Sequence, residues 1–170
     1  MVEVLNDIFT RFDALVEHHG LNKIKTIGDA YMVASVPQVS LSSRENDYRQ
    51  DCLAACQLAL DLVQAMQVRN KQFPEAQLDL RVGLEIGPVV AGVVGTKRFL
   101  YDLWGDSVNV ASRMESTGLP GRIQVTKNVK ELVETDFRFE ARGEITVKGK
   151  GVMQTWFLEP KKGIKRPLAT

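Results

Sequence analysis

The stretch GTKRFLYDLWGDSVNVASRMESTG, residues 95–118, decides how the rest of the chain is read. Its first half is apolar and aromatic, with Phe99, Leu100, Tyr101, Leu103 and Trp104 close together, a composition that favours a strand. Gly105 breaks the run, and Asp106 and Ser107 are residue types that cap a helix N-terminus. Val108, Ala111 and Met114 then recur at helical spacing, so a helix is expected to about Ser116 with Gly118 as its stop. Asn109 and Arg113 are four apart and share one face of that helix, beside the apolar Val108, Val110 and Ala111. A polar stripe flanking a buried one suits the wall of a cleft. Arg113 offers a bidentate fork to a phosphate, and Asn109 both donates and accepts hydrogen bonds. Asp102, on the preceding strand, only accepts when ionised and so suits an amino group. The same pattern also describes an N-capped surface helix with a solvated arginine.

Bulk properties narrow the class. A chain of 170 residues is long enough for one domain with a buried core. Its 44% apolar and 25% charged residues match an ordinary soluble globular protein. The net charge of +1 supplies no field strong enough to gather nucleic acid or a membrane surface. No apolar run has transmembrane length and no secretory pattern opens the chain. A cytoplasmic location is expected, with any membrane attachment of a parent protein left open. Cys52 and Cys56, four apart in a helical pattern, read as small core residues, because no further Cys or nearby His completes a metal site. Reduced cysteines fit that compartment. His18 and His19 sit beside Gly20 at a helix end, where a cation suits the dipole.

Taken in order, Val4, Leu5, Ile8, Phe9, Phe12, Leu15 and Val16 form the apolar face of a helix over residues 2–19, ended by Gly20. Residues 22–27 and 30–36 read as two strands around a Gly28-Asp29 turn. Asp29 is either turn chemistry or a metal ligand, since Mg²⁺ favours carboxylate oxygens. Residues 37–47 are polar and aperiodic, a loop. Residues 48–68 are helical, with Leu53, Cys56, Leu60, Val63 and Met66 on the apolar face. Leu78, Leu80, Val82, Leu84 and Ile86 alternate as a half-buried strand does, and Glu85 within it is either a solvated carboxylate or a site acid. Gly87-Pro88 turns the chain into a strand over residues 89–94, packed closely through Gly92. Strand 122–125, helix 126–134, strands 137–142 and 145–147 and a return strand 152–158 complete the order. Between the last two strands, Lys148-Gly-Lys-Gly joins glycines, which let a backbone approach a ligand, to lysines, which hold phosphate as point charges. Basic hairpin turns share that composition. Residues 160–170 form a basic tail. No repeat or second domain is visible, so one domain over residues 1–159 is expected, of the α+β class with helices covering a sheet.

Four segments resemble the class III nucleotidyl cyclases, which make cyclic AMP or cyclic GMP. They are YDLWGDSVNVASRMES (101–116), KIKTIGDAYMVAS (23–35), RVGLEIGPVVAGVVG (81–95) and VKGKG (147–151). The resemblance covers nearly the whole chain, residues 2–158. It implies a ferredoxin-like core sheet flanked by helices, with two central strands pairing at residues 81–95. It also implies roles. Asn109 orients the ribose, Arg113 stabilises the transition-state phosphate, Lys148 holds the terminal phosphates and Asp29 binds divalent metal, Mg²⁺ or Mn²⁺, with two ions in the family's intact site. Lys25 and Asp102 select the base. A Lys and Asp pair goes with ATP: Lys25 donates to adenine N1 and Asp102 accepts from the 6-amino group. Guanine reverses that edge, and each buried mismatch costs roughly 1–3 kcal/mol. The implied reaction converts ATP to 3′,5′-cyclic AMP and pyrophosphate. The implied assembly is a head-to-tail homodimer of cyclase chains, with an arm around residues 97–101 reaching the second chain.

The chain departs from that family in one respect. Members begin with a strand and loop carrying a first metal-binding Asp, and Asp7 and Asp13, on the first helix, do not replace it. A missing N-terminal strand, exposed sheet edges and weak metal affinity from Asp29 alone are therefore expected. The alternatives are a half-site module that acts with a partner cyclase chain, and a guanylyl cyclase. A ferredoxin-like nucleic-acid binder is disfavoured by the near-zero charge and the lack of a basic, aromatic strand platform.

Overall fold

Apolar residues four apart build the first element. In this computed structural model, which describes residues 2–35, 44–95 and 100–161, helix α1 (Val2–His18) buries Ile8, Phe12 and Val16. Gly20, at φ +68°, caps it. The amides of Gly20 and Leu21 donate to the carbonyls of Glu17 and Val16, each at 3.0 Å, and Leu21 is buried in the same cluster as Val16. Strands β1 (Asn22–Ile27) and β2 (Ala30–Ala34) follow as an antiparallel hairpin. Tyr31 seats the hairpin on α1: its ring lies 5.2 Å from Phe9 and 5.6 Å from Phe12. Its hydroxyl donates to Asp13, which also pairs with Lys23 at 2.8 Å. Burial and the Asp13 carboxylate push the Tyr31 hydroxyl pKa up.

Helix α2 (Arg44–Gln72) is longer than its periodicity suggests, so the expected loop over 37–47 gives way to helix from Arg44, and its remainder lies outside the described residues. The helix also buries two faces, where one was expected. Cys52, Cys56 and Ala59 enter one core, while Leu58, Leu62 and Met66 pack with α1 in another. Leu53, Leu60 and Val63 pack against the first of these and are only half-buried. Both cysteines are buried free thiols, as the spacing suggested.

The first core is closed by β6 (Ile123–Thr126), buried at every residue, and by α4 (Lys127–Val133). A four-stranded sheet in the order β3-β6-β8-β7 includes β3 (Val82–Leu84), β7 (Arg138–Val147) and β8 (Gly151–Glu159). Strand β3 runs parallel to β6, and the other pairings are antiparallel. Two expectations change here. The alternation over residues 78–86 yields only three strand residues, because Asn70 takes the backbone of Leu78: its amide donates to the Leu78 carbonyl (2.8 Å) and its carbonyl accepts the Leu78 N–H (3.1 Å). The two strands expected at 137–142 and 145–147 are one strand, continuous through a bulge between Ala141 and Gly143.

Strands β4 (Val90–Val94) and β5 (Leu100–Trp104) form a separate hairpin, with Gly92 opposite Asp102. The implied pairing of two central strands does not occur, since β3 pairs with β6 and β4 with β5. Beyond the Gly87-Pro88 turn, the Pro88 carbonyl is bonded by the Ser107 hydroxyl at 3.1 Å. The class is α+β as expected, but the described ladders form sheets of two, four and two strands rather than one continuous core sheet. The β4–β5 hairpin exposes Val93, Val94, Val90 and Leu100, the last two at 68%. Tyr101 and Trp104 are partly exposed, as their clustering suggested, while Phe99 lies outside the described residues.

Candidate active site

Two hairpins meet at one ion pair. Lys25 on β1 and Asp102 on β5 are 77 residues apart, yet Lys25 Nζ donates to Asp102 Oδ2 at 2.6 Å. The β1 register shifts between Lys23 and Lys25, an irregularity of the kind that re-aims a side chain. On β5, the buried Leu103 fixes the strand and its N–H donates to Asp102 Oδ1 at 2.8 Å. Asp102 faces Gly92 across the ladder, so no cross-strand side chain crowds it from there. The Lys25 ammonium and the Leu103 amide hold the Asp102 carboxyl below the usual carboxylate range. The pair stays reachable from solvent, with the lysine side chain 37% and the aspartate 21% exposed.

Strand β5 runs through Gly105 into helix α3 (Asp106–Ser116). Gly105 itself is the N-cap, at φ +145°, and neither Asp106 nor Ser107 bonds a helix N–H as a cap would. A Cβ on Gly105 would stand 3.1 Å from the Pro88 carbonyl oxygen, which makes the position glycine's on two counts. The helix stops at Thr117, whose N–H and hydroxyl both donate to the Arg113 carbonyl; Gly118 matters for space, a Cβ there lying 3.1 Å from two carbonyl oxygens. Val110 and Met114 face inward onto Ile145 and Val147 of β7. Asn109 and Arg113 lie on the exposed side, and their side chains make no hydrogen bond or ion pair to any described residue. Beneath α3, Gly83 of β3 meets the helix backbone: a Cβ there would be 2.2 Å from the Glu115 nitrogen.

Lys148 is exposed in the turn between β7 and β8 and is likewise unengaged by the described residues. Its neighbour Lys150 ion-pairs with Asp106, at the first turn of α3. Sequence reasoning missed this pair, although Asp106, Asn109 and Arg113 stand at the i, i+3, i+7 spacing of one helix face. Glu85 lies just past the end of β3, where Asn128 donates to its Oε1 at 3.0 Å and its Oε2 is buried with no partner among the described residues. The solvated strand carboxylate expected for it is thus corrected. Glu85, Gly87, Asp106, Ser107, Asn128 and Lys150 line a cavity of about 180 Å³.

Asp29 is exposed at the tip of the β1–β2 turn. Among the described residues no three His, Cys, Asp or Glu side chains gather as a metal site. A single accessible carboxylate does fit one kind of ion, the Mg²⁺ that keeps its waters and takes most of its oxygens from nucleotide phosphates. The donor set does not form an all-protein cage.

A family model described as the adenylate and guanylate cyclase catalytic domain matches residues 1–160. The chain belongs to this cyclase family. It is 49% identical over 164 residues to an adenylate cyclase of Mycobacterium tuberculosis, a match covering 95% of this chain and 35% of that protein. It is 43% identical over 173 residues to retinal guanylyl cyclase 1 of Rattus norvegicus, covering 99% of this chain and 15% of that one. The cyclase domain thus spans about a third or less of these relatives' length. Its fold resembles the guanylate cyclase domain of RhGC from Catenaria anguillulae, solved with GTP, at a TM-score of 0.79 and 34% identity over 93% of this chain and 82% of that one. No described helix of the cyclase domain is long and apolar enough to cross a membrane.

Proposed function

We propose that this chain is the catalytic domain of an adenylyl cyclase and converts ATP to 3′,5′-cyclic AMP and pyrophosphate. The observation that carries this reading is the Lys25–Asp102 contact, a donor and an acceptor side by side at 2.6 Å. Adenine presents the complementary pair, an N1 acceptor and a 6-amino donor, and guanine presents the reverse. The lowered pKa keeps Asp102 an ionised acceptor.

In the reaction the ribose 3′-hydroxyl loses its proton to solvent as its oxygen attacks the α-phosphorus in line, the new O–P bond forms, and the bond from the α-phosphorus to the bridging oxygen breaks to release pyrophosphate. The protein contributes position and charge. Asn109 orients the ribose, Arg113 spreads its fork over the charge that builds on the α-phosphate oxygens, and Lys148 holds the leaving phosphates. Asp29 is the carboxylate this chain offers to Mg²⁺ or Mn²⁺, which when bound lowers the proton affinity of the 3′-hydroxyl and neutralises phosphate charge. Two copies in a head-to-tail C2 dimer supply two composite sites, and the apolar β4–β5 face is the surface offered to the second copy.

The test is product analysis with ATP or GTP and Mn²⁺. Cyclic AMP from ATP is expected, and cyclic GMP as the main product overturns the base assignment. One observation favours a second reading. With no cluster of three metal-ligating side chains around Asp29 among the described residues, the chain suits a half-site module that completes the site of a partner chain. Activity that arises only on mixing with a cyclase chain carrying two metal carboxylates selects that reading.

A further inference from the structure

The cavity beside α3 ties the phosphate-binding turn to the helix that carries Arg113. The β7–β8 turn is formed tightly, with Gly149 and Gly151 at φ +81° and +80° and the Lys150 amide donating to the Val147 carbonyl at 3.0 Å. Below it, Ile145 and Val147 pack against Val110 and Met114, which sets the height of β7 on the helix. At the top, Lys150 closes the gap by pairing with Asp106. Asp106 heads the same face of α3 as Asn109 and Arg113, one and two turns further along.

We propose that Asp106 and Lys150 are positioning residues that register Lys148 over the N-terminal end of the Asn109–Arg113 face, so that one polyphosphate spans Lys148 and Arg113. The proposal rests on the functional reading above, which gives those two side chains to the phosphates. Both partners are substantially exposed, at 43% and 60%, and exposed pairs add little to stability. What such a pair adds is geometry, since holding Lys150 to α3 fixes the turn that carries Lys148. Glu85 works with them from across the cavity. Asp106 holds the Lys150 ammonium in its charged form by hydrogen bond and attraction, and the Glu85 carboxylate adds a smaller pull in the same sense. Lys150 is thereby kept on the cavity side, facing Asp106, Glu85 and Asn128.

Calorimetric titration of the chain with inorganic tripolyphosphate tests this without requiring turnover. Lys148→Ala sets the scale for losing the phosphate contact itself. Asp106→Asn and Lys150→Met are each expected to weaken tripolyphosphate binding about tenfold, the worth of one oriented charge contact. The exchanged pair Asp106→Lys with Lys150→Asp is expected to recover most of the loss, which a general structural defect would not allow. Unchanged binding in Asp106→Asn, with Lys148→Ala impaired, overturns the positioning role and leaves the proposed function standing. Tighter binding in Asp106→Asn with weaker binding in Lys150→Met makes Lys150 a direct ligand and also overturns it. Unchanged binding in Lys148→Ala overturns the underlying reading instead.

Discussion

At the scale of single residues, Lys25 and Asp102 make the sharpest predictions. Replacing both, Lys25→Glu with Asp102→Cys, presents an acceptor to guanine N1 and removes the acceptor that opposes its 6-oxo group. The preference measured by competing ATP against GTP should move toward GTP, and an unchanged ratio counts against the base-reading role. The pH dependence follows from the direction of the Asp102 shift. A carboxyl whose folded pKa is depressed keeps its ionised interaction above the ordinary carboxylate value and loses it only as the pH falls through the lower, folded value. Discrimination between ATP and GTP should therefore hold flat from neutral pH down to about pH 5 and collapse only below the usual carboxylate range; equilibrium nucleotide binding across that range checks it. Arg113→Ala should lower kcat by about a hundredfold or more while the melting temperature stays unchanged, because the side chain is exposed and unpaired with described residues, and the proposed role sets it against phosphate charge that grows in the transition state.

At the scale of elements, helix α3 is held from below and from the side. Gly83 admits the helix backbone where even one methyl group would collide with the Glu115 nitrogen and the Ala111 carbonyl. Gly83→Ala should cost about 1–3 kcal/mol or more, as overpacking against an unyielding backbone does, read as a lower denaturant midpoint with an unchanged slope. Met114 is fully buried between α3 and β7. Met114→Ala should cost about 2–5 kcal/mol by the same measurement. These elements also show how far the sequence could be read. The 95–118 pattern located β5, the break at Gly105 and α3, because apolar spacing and a glycine stop act locally. It assigned the cap wrongly, since whether Asp106 bonds a helix amide or a distant lysine depends on the β7–β8 turn, 44 residues further on. The alternation of 78–86 misled for a related reason: a side chain on α2 took the backbone of Leu78, which no period reveals. At Lys25, Asp102 and Lys148 the residues alone left an ordinary polar side chain on a strand or turn as an equal reading, and the resemblance supplied the expected roles.

At the scale of the whole molecule, α2 joins two cores by burying two faces, while the β4–β5 hairpin stands in its own sheet with its valines and Leu100 turned to solvent. An exposed apolar ribbon of this kind marks an association surface. Val93→Asp combined with Leu100→Lys should shift the chain toward monomer in sedimentation, and self-association that persists places the dimer contact elsewhere. One consequence of the Lys25–Asp102 contact emerges only at this scale. That ion pair fastens the β4–β5 hairpin to the β1–β2 hairpin. An adenine that engages both side chains must first unfasten them, and a departing product lets them close again. On the proposed reading the pair thus competes with the base for its own two groups, which tempers how tightly any purine is gripped and helps to eject it once spent.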